Sequence, residues 1–67
     1  MSTSADMAAL SSIASQIEDL ERRVTAMAER YGETPDSAIA AELFGVERSL
    51  AGARRALQRA SDALDRT

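Results

Sequence analysis

Five arginines stand in the second half of this chain, at Arg48, Arg54, Arg55, Arg59 and Arg66. A guanidinium presents a planar fork of donors, the group best shaped to grip a phosphate or a carboxylate. Among them, Glu47, Arg54, Gln58 and Asp62 are spaced 7, 4 and 4. Those intervals are close to whole helical turns, so on a helix the four side chains line one flank. The plainer reading of the same arginines is a solvated face with ion pairs along it, Arg55 and Arg59 being framed by Asp62 and Arg66.

Catalytic chemistry has little to work with. The chain has no histidine and no cysteine, so acid–base, nucleophilic and structural-metal roles lack their usual groups. Serines and threonines have no base beside them. The paired carboxylates Glu18-Asp19 and Asp62-Asp65 fall on faces expected to be exposed, where a carboxylate stays an ordinary solvated acid. Gly32 stands alone and makes no phosphate loop. The expectation is a protein that is not an enzyme, holds no metal and needs no cofactor.

What must position these residues is a pair of helices. Leu10, Ile13, Ile17, Leu20, Val24, Met27 and Tyr31 are spaced 3, 4, 3, 4, 3, 4. Ile39, Leu43, Val46, Leu50, Ala53, Leu57, Ala60 and Leu64 are spaced 4, 3, 4, 3, 4, 3, 4. Such spacing keeps each set on one stripe of a helix, the seam of a coiled coil. Arg30 and Gly32 read as a helix end with a left-handed stop at the glycine. Thr34-Pro35-Asp36 reads as a cap, a proline at the first helical position and an early acid. Helix one is expected over about residues 5–31, capped by Thr3 or Ser4 with Asp6 in its first turn, a turn over 32–34, and helix two over about 35–66. Residues 1–3 are expected to fray. One uninterrupted helix is disfavoured, because Pro35 inside it would cost about 3 kcal/mol. The fold class predicted is all-α: one domain, 1–67, a two-helix antiparallel coiled-coil hairpin with arms of roughly 40 and 48 Å.

Composition bounds the partners. A chain of 67 residues rarely buries enough apolar area alone, and disulfides and zinc are closed to this one, so dimerisation or a protein partner is the expected support. The net charge of −3 argues against direct DNA binding. No apolar run approaches the roughly 20 residues needed to span a bilayer, and no signal peptide is visible, so no membrane role and a cytoplasmic location are expected. Residues 1–36 carry seven acids against three arginines, and residues 37–67 four against five. The two helices are electrostatically unlike, which favours their pairing and makes helix two the side for an anion. All eight basic residues are arginine, which fits a GC-rich bacterial genome. A row of small residues, Ala38, Gly45, Ser49, Gly52, Ala56 and Ala63, suggests close helix packing or a groove beside the leucines. Alanines at 14, 28, 53, 56, 60 and 63 would also let helices approach. Met7 and Phe44 stand off the seam as candidates for a second interface.

The stretch from Glu47 to Asp62 resembles the cyclic-di-GMP-binding signature of the RsiG anti-sigma factors of actinobacteria, E-x3-S-x2-R-x3-Q-x3-D on an antiparallel coiled coil. Glu47, Arg54, Gln58 and Asp62 match four of its five positions, and Ala51 stands where the serine would be. The resemblance covers 16 residues and has no second copy on helix one. In that family some small members supply the second copy by pairing two chains. The resemblance implies that Arg54 addresses a guanine edge or a phosphate. It implies that Glu47 and Asp62 accept from guanine N–H groups or orient the arginine, and that Gln58 bonds a base edge. The liganded coil would then grip a sigma factor. A weaker resemblance, through Leu43-Phe44 and an arginine-rich second helix, is to the small subunit of exonuclease VII, without that family's Gly-x-Leu-x-Leu-Glu loop.

Two functional classes follow. One is a ligand-gated regulator, with cyclic-di-GMP on Glu47, Arg54, Gln58 and Asp62 and a sigma factor as partner. The other is a plain assembly or adaptor hairpin, whose interface is Leu10, Ile13, Ile17, Leu20, Val24, Met27, Ile39, Leu43, Val46, Leu50, Leu57 and Leu64.

Overall fold

Apolar residues three and four apart fold both halves of the chain into helices that bury their stripes on each other. The computed structural model describes residues 3–67, with α1 over Thr3–Gly32 and α2 over Ser37–Asp65. Among the described residues there is no strand. The helices pack against each other along their length, in a body 51 × 14 × 12 Å. Met7 meets Ser61 at one end, Glu21 meets Arg54 in the middle, and Gly32 stands over Ala40 at the other. The helices therefore run antiparallel, as a hairpin. The expected fraying of residues 1 and 2 lies outside the described residues. Thr3 and Ser4 both fall within α1, and Asp6 and Arg30 sit in its first and last turns, where the helix dipole favours each charge.

The reversal is built differently from the expectation. Among the described residues none has positive φ, Gly32 included, so Gly32 is the last helical residue and not a left-handed stop. Thr34 makes the turn instead. Its N–H and its hydroxyl both donate to the Tyr31 carbonyl, at 3.1 and 2.7 Å. Its Oγ1 in turn accepts from the Asp36 N–H at 3.1 Å. A hydroxyl bonded two residues ahead closes a turn, and here that turn precedes Ser37, the first residue of α2. Pro35 is thereby held in the connection, and α2 starts at Ser37, two residues later than expected. Asp36 takes the cap position with no side-chain cap bond, and its carbonyl accepts from the Ile39 N–H at 2.9 Å.

The seam also differs. Met7, Leu10, Ala14, Ile17, Glu21, Val24 and Ala28 face α2, and Ala40, Leu43, Glu47, Leu50, Arg54, Leu57, Ser61 and Leu64 face α1, all buried or half-buried. Leu10, Ile17 and Val24, with the four leucines of α2, are common to the expected and observed seams. Ile13, Leu20, Met27, Tyr31, Ile39 and Val46 are not in it: they remain 36–46% exposed. Ala53 and Ala60 are exposed as well. The physical reason is that each helix carries three adjacent rows, wider than one partner covers. The hairpin takes the row with small members, and the core is accordingly alanine: Ala28 is fully buried, with Ala40 and Ala51 close to it. No large side chain is fully buried among the described residues. Met7 is part of this packing, its sulfur accepting from the Ser61 hydroxyl at 3.7 Å.

Candidate functional site

The hairpin has two unlike broad faces. Side chains advance about 100° per residue, so Ser11 and Glu18, each one residue after a seam member, turn to one side of α1. Gln58, one residue after Leu57, turns to the same side of α2, because these residues line a common cavity of about 360 Å³ with Met7, Leu57 and Ser61. Ile13, Leu20 and Met27 are rotated the other way on α1, as are Ile39, Val46, Ala53 and Ala60 on α2. In an antiparallel pair both rotations end on one face. One side of the hairpin is thus polar and grooved, and the other is a continuous apolar strip.

Arg54 is the centre of the polar side. Its Nε donates to Glu21 Oε2 at 2.7 Å and its Nη2 to Oε1 at 3.4 Å. The side chains are 36% and 12% exposed, so this is a charge-assisted fork at the edge of the seam. The hydrogen bond that Arg54 donates to Glu21 holds its guanidinium above its ordinary pKa. The charge of Glu21 adds to this, burial opposes it, and the charges of Glu18 and Glu47 add smaller amounts. A shallow groove of about 320 Å³ lies between Glu18, Glu21, Arg22 and Arg54.

The four residues of the spaced pattern share this side but fan outward. Glu47 and Arg54 sit at the seam edge, half-buried, while Gln58 and Asp62 are exposed. Gln58 Nε2 donates to Asp62 Oδ1 at 3.0 Å, so these two bond each other. Ala51, at the serine position of the resemblance, is buried in the hairpin and does not reach this surface. Glu21 was not among the expected site residues. Its signal lay in the antiparallel pairing: with Gly32 level with Ala40, Glu21 falls within a turn of Arg54 on the facing helix.

The remaining arginines do not form one cluster. Arg48, Arg55, Arg59 and Arg66 are exposed, and the expected ion pairs among Arg55, Arg59 and Asp62 are not formed. Among the described residues the other ion pairs are Asp19 with Arg22 at 3.6 Å and with Arg23 at 3.9 Å. Gly45 and Gly52 point away from α1. A methyl group there would meet only the guanidinium ends of Arg48 and Arg55, at 3.7 and 3.8 Å. The small-residue row therefore does not pack the hairpin. Among the described residues no helix is long and apolar enough to cross a membrane.

Compared with known proteins, the chain matches no family model, no curated protein and no solved structure.

Proposed function

We propose that this chain is a non-enzymatic helical interaction module that works in the cytoplasm by docking its apolar face on another helical surface. One observation carries this reading: Ile13, Leu20, Met27, Tyr31, Ile39 and Val46 stand 36–46% exposed along a hairpin that buries no large side chain fully. A contiguous apolar patch on a body this thin marks a surface awaiting a partner. The net charge of −3 argues against DNA as that partner.

The test is a Leu20→Glu/Val46→Glu variant examined beside the wild type by sedimentation and by binding of a hydrophobic dye. The wild type should either associate or bind the dye, and the variant should do neither while keeping its helicity. A monomeric wild type that ignores the dye would end the docking reading.

A second reading has its own support. Glu47, Arg54, Gln58 and Asp62 lie on the side opposite the apolar face, so a nucleotide ligand and a protein partner would occupy separate surfaces. In this reading the protein is a regulator: cyclic-di-GMP replaces Glu21 on the Arg54 fork, and the apolar face holds a sigma factor. Glu21 already presents to Arg54 the kind of oxygen pair that a phosphate would. Calorimetry with cyclic-di-GMP tests it. Heat that disappears in Arg54→Ala supports the regulator, and silence in the wild type at high micromolar ligand removes it.

A further inference from the structure

We infer that the apolar face is covered by a second copy of this chain, in a four-helix bundle whose two turns lie at the same end. This rests on the docking reading above and names the occupant. The argument is one of area, level and charge.

The hairpin that carries the apolar face measures 51 × 14 × 12 Å, so its broad side has an outline of about 700 Å². A stable interface of standard size takes about 800 Å² from each partner. One identical hairpin laid face to face therefore matches what is exposed, and a two-fold axis makes the surface its own complement.

Two such axes are available. An axis along the hairpin sets α1 of one copy against α2 of the other, with the turns together. An axis across it sets α1 on α1 and α2 on α2, with the turns apart. The outer rims choose between them. Arg30 follows Met27 by three residues and forms the outer rim of α1. Glu42 follows Ile39 by three and forms the outer rim of α2. Gly32 is level with Ala40, since a methyl group on Gly32 would lie 3.9 Å from the Ala40 Cβ. Arg30 and Glu42 are each two residues further from the turn, so they too are level. Both are exposed, and neither has an ion-pair partner among the described residues.

With the axis along the hairpin, Arg30 of each copy comes opposite Glu42 of the other, twice per dimer. Lower on the same rim Arg23 comes opposite Ser49, and no like charges meet. With the axis across the hairpin, Glu42 comes level with the alanines near the end of α2 and finds no counter-charge. Arg30 comes level with the start of α1, whose one acid, Asp6, is half-buried in line with Ile13 and off the outer rim. Opposite charges at a rim set orientation more than affinity, which is the choice to be made here.

The experiment is sedimentation of the full chain over a range of concentrations, with Arg30→Glu, Glu42→Arg and the double reversal. The wild type should reach twice the chain mass of 7.2 kDa. Each single reversal should weaken the dimer roughly tenfold, and the double reversal should restore it. Helicity measured on the same samples separates loss of pairing from loss of folding. A dimer whose affinity is the same in all four proteins overturns the assigned axis. A wild type that stays monomeric at the highest concentration overturns self-pairing. If that monomer still binds the hydrophobic dye through Leu20 and Val46, the docking face stands with a foreign occupant. If it does not, both readings fall together.

Discussion

Arg54 closes its guanidinium on Glu21 across the helix pair, 33 residues away in sequence, with Nε 2.7 Å from Oε2. The pair ties the midpoint of α2 to that of α1, and so fixes how far one helix slides along the other. Arg54→Met should lower the melting temperature, because it strands the Glu21 carboxylate at a site only 12% exposed. Arg54→Lys should recover part of the loss, since an ammonium cannot reproduce the fork. The sign with pH follows from the raised Arg54 pKa. A group protonated more readily in the folded state stabilises fully below its unfolded pKa and loses that contribution only as pH rises through the folded value. On the alkaline side, the wild type should therefore keep this contribution through neutral pH and lose it in strong alkali. Melting curves read by circular dichroism would check all three outcomes.

Ala28 has no exposed surface, and Ala40 is nearly as enclosed where the helices come together beside the turn. Side chains this small set the spacing of the helices. Ala28→Leu should push them apart at a cost of about 1–3 kcal/mol, and Ala40→Leu by a similar amount. Ala53→Leu, on the exposed row, should cost nothing within the hairpin. Urea unfolding of the three variants is the measurement. Equal behaviour at Ala28 and Ala53 would contradict the assignment of the inner row.

How much of this was legible beforehand depends on which physical signal was strong. The hairpin followed from heptad spacing and from Gly32 and Pro35 standing together. The leucine row of α2 was also plain, because leucine at every seventh position has one reading. The other half of each seam was not. Ile13, Leu20 and Met27 are larger and more apolar than Met7, Ala14, Glu21 and Ala28, and hydropathy favours them. The hairpin uses the smaller row because close approach of two helices is decided by side-chain size, and because Glu21 and Arg54 satisfy each other at its edge. A carboxylate and a guanidinium read separately look like surface charge. Only the antiparallel pairing brings them together. The turn differs for a similar reason: the Thr34 hydroxyl joins Tyr31 to Asp36 within the connection, and α2 begins only at Ser37.

Gly45 and Gly52 sit inside α2 with no left-handed conformation and no crowding to explain them. A Cβ at either site would touch only a flexible arginine end at 3.7–3.8 Å. Gly45→Ala and Gly52→Ala should each stabilise the helix by about 1 kcal/mol. Gly32→Ala should behave alike, with ordinary contact to Ala40 at 3.9 Å. Thermal melts give the sign. A glycine variant that melts lower would show that something besides the hairpin occupies that side of α2.

Leu50 and Ile13 separate the two apolar rows in a single comparison. Leu50 is half-buried in the seam at mid-helix, and Ile13 is 43% exposed on the outer face. A carboxylate at the first site must be desolvated between the helices, and at the second it can stay in water. Leu50→Asp should therefore cost several kcal/mol and remove most of the helicity. Ile13→Asp should leave a dilute sample helical, with its effect confined to association at higher concentration. Circular dichroism at two protein concentrations reads both effects. If Ile13→Asp unfolds the dilute chain as thoroughly as Leu50→Asp, the outer row is part of the fold itself and is not a docking face.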